Sequence, residues 1–86
     1  MTYKYKVTLD GAVLAQGGMR EVQAASAEAV TGLLAQDPDG VAMSAAQANR
    51  DFQDGAVEAA LAAAGEYRCP FWVKGVPSTL IVTREG

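Results

Sequence analysis

Asp51, Asp54 and Glu58 are the closest this sequence comes to a chemical constellation. Residues three and four apart share one face of a helix, so the three carboxylates would stand in a row. Paired carboxylates can move a proton or hold a cation. No apolar, concave run surrounds these three to raise a carboxyl pKa. Their expected role is a solvated helix face, with Asp54 serving as a helix cap. Cys69 is the other candidate. A reactive thiolate needs electropositive surroundings, and Arg68 alone supplies one. Apolar neighbours favour burial of Cys69 as a small core residue.

Other chemistry is closed off by what the chain lacks. It has no histidine, which removes the commonest general base and metal ligand. One cysteine without histidine excludes zinc-ligand patterns and both Cys-His and Ser-His-Asp arrangements within the chain. Asp37-Pro38-Asp39-Gly40 opens like a calcium loop, but the later ligands and terminal Glu are missing, so it reads as a turn. Gly17-Gly18 is a turn signal and matches no phosphate-binding fingerprint. The expectation is therefore a protein that is not an enzyme and needs no cofactor and no metal.

The elements that would position these residues follow from periodicity. Residues 3–9 alternate, with Tyr3, Tyr5, Val7 and Leu9 on one side and Lys4, Lys6 and Thr8 on the other, the pattern of a half-buried strand. Asp10-Gly11 predicts a type I′ hairpin turn, and residues 12–15 the return strand. Residues 19–24 read as a continuation of that strand past a bulge, or as a third strand. Ser26 reads as the N-cap of a helix over 27–36 with the apolar stripe Val30, Leu33 and Leu34. After a turn at 37–40, Ser44 and Gln47 form a capping-box pattern for a helix over 45–53. Asp54-Gly55 either kinks that helix or separates it from a third, carrying Val57, Ala60, Leu61 and Ala64, which Gly65 stops.

Residues 67–74 predict an aromatic strand in which Pro70 suits an edge or a bulge. Gly75-Val76-Pro77 reads as a turn and 79–84 as a last strand with an open, apolar edge. One α+β domain over 1–86 accommodates all of this. It would have an antiparallel sheet of about four to five strands in the order β-hairpin, two or three short helices, β-hairpin, with the helices packed on one face.

Two local resemblances can be drawn. Val73 to Pro77, the apolar run Leu80 to Val82 and then Gly86 resemble the loop and strand around the cis-proline of thioredoxin-like proteins. That family's Cys-x-x-Cys motif is absent, so the resemblance implies no redox activity here. The opening hairpin and the run into a helix through Ala25-Ser26 are similar in pattern to HicB-like antitoxins, a pattern shared by many small proteins.

Charge points to partners. Residues 28–66 carry seven carboxylates against Arg50 alone, a net of −6, while the two flanks together carry +3. The helices are expected to be acidic and the sheet basic. Two partner-binding surfaces follow. Lys4, Lys6, Trp72 and Lys74 would share the uncovered sheet face, and Asp51, Asp54 and Glu58 would line the helices. A protein partner is expected, in the manner of small acidic inhibitors of the phage or mobile-element, anti-CRISPR-like kind. A homodimer through the 79–84 edge is a second arrangement. A structural or assembly subunit is a further reading, and so is single-stranded nucleic-acid binding on the lysine and aromatic face. The last is disfavoured by a pI near 4.7. No apolar run is long enough for a membrane span, the start lacks a signal-peptide core, and one cysteine permits no internal disulfide. Together these predict a cytoplasmic protein.

Overall fold

In the computed structural model, residues 3–85 are described, residues 38 and 40–45 by their backbone alone. The described chain runs β1 (Tyr5–Leu9), β2 (Ala12–Gly17), α1 (Met19–Gln36), α2 (Pro38–Gln53), α3 (Ala56–Ala64), β3 (Glu66–Val73) and β4 (Val76–Arg84). The strands form one antiparallel sheet in the order β2-β1-β4-β3. The two hairpins are thus joined through their first and last strands, and the helices pack on one face.

Both hairpins turn on two residues of positive φ, as type I′ turns require: Asp10-Gly11 at 52° and 85°, and Lys74-Gly75 at 52° and 80°. The second turn therefore lies one residue earlier than expected. Val76 and Pro77 belong to β4, opposite Val73 and Trp72. Asp10 holds the first turn against β4, since its carboxylate accepts the Thr79 N–H at 3.0 Å. Pro70 sits on β3, an edge strand, where its missing N–H costs no ladder bond.

The apolar alternation settles which face is covered. Val7, Tyr67, Cys69, Phe71, Leu80 and Val82 are buried from the sheet, against Val22, Val30, Ala48, Val57 and Leu61 from the helices. Tyr5 and Leu9 pack against this core. Tyr3 shares their parity but lies beyond the strand and is exposed, with the Arg84 guanidinium 4.5 Å over its ring.

Three sequence expectations are corrected here. Residues 19–24 form no strand. They are the first turns of α1, which starts because Gly18 is its N-cap and the Glu21 carboxylate accepts the Gly18 N–H. Ser26 is consequently inside the helix, buried, with its hydroxyl donating to the Val22 carbonyl at 2.8 Å. The helix entry that suggested HicB-like antitoxins is therefore not at Ala25-Ser26. Nor is Asp37–Gly40 a free turn. Asp37 is the C-cap of α1, its N–H returning to the Leu33 carbonyl at 3.0 Å, and Pro38 begins α2 as a first-turn residue whose missing N–H would have no partner anyway. Ser44 falls within α2, and its side chain lies outside the described residues. Finally, residues 79–84 are not an edge. β4 is flanked by β1 and β3, so the proposed route to a dimer through that strand is blocked.

Asp54-Gly55 separates α2 from α3. Gly55 takes φ 83°, and the Asp54 carboxylate accepts the Ala56 N–H at 3.1 Å. Gly65 stops α3, its N–H returning to the Leu61 carbonyl at 2.9 Å.

Candidate functional site

The uncovered face of the sheet carries the residues whose side chains point away from the core. On β3 these are Arg68, Pro70 and Trp72, all exposed. Trp72 is 58% exposed and stands opposite Pro77, with Pro70 two residues behind it on the same face. Val76, beside the turn, is 61% exposed, but it pairs with Val73 and so belongs to the opposite, helix-side parity. An indole framed by two prolines at the sheet's end is a rigid apolar patch. Large aromatic anchors of this kind dominate interface energetics.

Lys4 and Lys6 do not join this patch. Lys6 pairs with Thr83 of β4, whereas Trp72 pairs with Pro77. The six-residue offset along β4, from Pro77 to Thr83, corresponds to roughly 20 Å along the strand. Lys6 is also engaged by Glu85 at 3.2 Å, and Arg68 by Glu66 at 2.9 Å, so the basic charge of this face is largely met locally. Lys74 is in the turn, and its backbone N–H donates to Asp37 at 2.8 Å, tying the hairpin tip to the α1–α2 corner. The expected arrangement of Trp72 among three lysines is not assembled.

The acidic residues serve the fold. Asp51 accepts the Tyr67 hydroxyl at 2.6 Å and the Gln47 amide at 2.8 Å. Asp54 precedes Gly55, the N-cap of α3, and accepts the Ala56 N–H. Glu58 is exposed in the first turn of α3, where a carboxylate suits the helix dipole. Among the described residues no group of three potential ligands could hold a metal ion.

Behind β3 lies a small polar network. Burial, reinforced by the hydrogen bond to Asp51, pushes the Tyr67 phenol far above its ordinary value. Burial also pushes the Cys69 thiol up, against a hydrogen bond from Tyr67 that lowers it. At neutral pH Cys69 is a buried thiol, not a nucleophile.

Sequence reading missed one feature. β1 and β2 lose register between Val7 and Thr8, where Leu14 is the extra residue of a β-bulge. Leu14 then lines a cavity of about 370 Å³ with Ala25, Glu28 and Ala29 of α1. The only signal would have been the apolar run Val13-Leu14, which breaks strict alternation. With 19–24 read as strand, α1 was not available to form the other wall.

No family model, no curated protein and no solved structure matches this chain. Among the described residues, no helix is long and apolar enough to cross a membrane.

Proposed function

We propose that this protein is a non-catalytic binding module that docks onto another protein through the Trp72 end of its uncovered sheet face. The observation that carries this reading is the exposed indole, held by a paired strand and flanked by Pro70 and Pro77. A side chain on a sheet is pre-organised, so little entropy is lost when a partner covers it. The absence of histidine and the burial of the lone cysteine support a role without chemistry.

A narrower form of the proposal is a small acidic inhibitor that occupies a basic groove on its target. It rests on the net −6 of residues 28–66, and on Glu58, Asp39 and Glu28, which are exposed on the helices. Asp51 and Asp54 are committed to Tyr67, Gln47 and Ala56, which leaves this surface fewer uncommitted carboxylates than its charge suggests. Nucleic-acid binding has weaker support, because Lys4 and Lys6 lie at the opposite end of the sheet from the indole.

Affinity capture from native lysate tests the main reading. The wild-type chain should retain a protein that Trp72→Ala loses by about tenfold or more, the cost of removing an interface anchor. Glu58→Gln should retain it. An identical set of captured proteins for wild type and Trp72→Ala would refute docking through this patch. Loss with Glu58→Gln alone would favour the acidic-inhibitor form.

A further inference from the structure

The sheet has two edges, and only one is protected. β3 carries Pro70, which removes a donor from its backbone row. β2 (Ala-Val-Leu-Ala-Gln-Gly) has neither proline nor charge, and its outer side pairs with no strand among the described residues. Beside that edge, α1 presents Ala25 and Ala29, four apart and so stacked on one flank of the helix. Small side chains leave room there. The bulge turns Leu14 into this space, giving the cavity its apolar wall, and Val13 beside it is 54% exposed.

The geometry points to β-strand addition. We propose that the β2 edge accepts an extended peptide segment of a partner protein as a fifth strand. One apolar side chain of that segment would fill the cavity between Leu14, Ala25 and Ala29. A basic side chain two residues away, on the same side of the added strand, would meet Glu28. Backbone pairing supplies the affinity in such complexes, and alternate side chains supply the selectivity.

Charge selects the occupant. Glu28 lines the cavity and makes no hydrogen bond or ion pair among the described residues. A second copy of the chain pairing β2 with β2 would be an isologous contact, in which the same patch meets itself and one acidic rim faces another. A basic peptide carries the complementary charge. This surface is separate from the Trp72 patch, and the inference stands independently of it.

The probe is an end-capped, fluorescein-labelled heptapeptide, Ser-Thr-Leu-Thr-Arg-Thr-Ser, titrated with the full chain by anisotropy. A second peptide carries Glu in place of Arg. The Arg peptide should bind saturably and shift the backbone amide resonances of Val13, Leu14 and Gln16. It should bind better than the Glu peptide by about threefold to tenfold, and Glu28→Lys, an exposed substitution, should reverse that order. Trp72→Ala should leave peptide binding unchanged. The proposal is overturned by the absence of saturable binding, by equal affinity for both peptides, or by shifts confined to the Trp72 end. Concentration-dependent self-association through β2 that the peptide does not disperse would overturn it too, in favour of a second copy.

Discussion

Tyr67, Cys69 and Phe71 alternate along β3 with Arg68, Pro70 and Trp72, and the two sets have opposite fates. The first is buried against α2 and α3, with Phe71 at 0% exposure. The second faces away from the helices, with Trp72 at 58%. Both sets contain a large aromatic, so hydrophobicity does not sort them. Strand parity does, because a strand must send successive side chains to opposite faces, and only one face of this sheet has a helical layer. The lesson is that Phe71 answers to the fold, while Trp72 is retained on a surface that the fold does not use.

Substitutions along the strand can break that contrast. Phe71→Ala should have the largest effect, costing about 3–5 kcal/mol of unfolding free energy by urea denaturation, since it deletes a fully buried ring. A loss below about 1 kcal/mol would mean that β3 is not seated on the helices. Tyr67→Phe should cost about 1–2 kcal/mol, because it removes the hydroxyl that Asp51 accepts in a half-buried position.

Alkaline pH probes the same covered set. The unfolded thiol and phenol ionise from their ordinary values of 9.0 and 10.0, while the folded groups keep their protons to higher pH. Above about pH 9 the unfolded state therefore binds fewer protons, and stability falls as pH rises; below it these two groups contribute no slope. The urea midpoint should drop between about pH 9 and pH 10.5, and the drop should shrink in Tyr67→Phe and in Cys69→Ala. A midpoint that is flat over this interval would place both groups in solvent. The smallest change belongs to Trp72→Ala, which should alter stability by no more than about 0.5 kcal/mol. A cost comparable to that of Phe71→Ala would show that the indole supports the fold after all.

Much of this architecture was legible in the sequence because alternation and turn chemistry are local. Val7, Cys69 and Phe71 reveal their parity within a few residues, and Asp10-Gly11 specifies its turn by φ alone. The failures share a cause. Met19 to Ala24 could satisfy a strand or a helix, and the deciding contact is Glu21 returning to Gly18, a cap centred on a glycine that supplies no side-chain oxygen. Pro38 has two legitimate readings, turn and first helical residue, and the chain takes the second. The strand order was beyond local reading altogether, since β1 meets β4 across most of the chain. That pairing moved 79–84 from the edge to the centre and set Lys6 far from Trp72. The exposure of Trp72 was readable, and the company it keeps was not.

The proposed docking surface can be tested by placing a photo-crosslinking amino acid at position 72 or at position 58 in the cell of origin. Docking through the uncovered sheet face predicts a discrete protein adduct from position 72 and none from position 58. An adduct from position 58, with none from position 72, would contradict it and place the partner on the acidic helices.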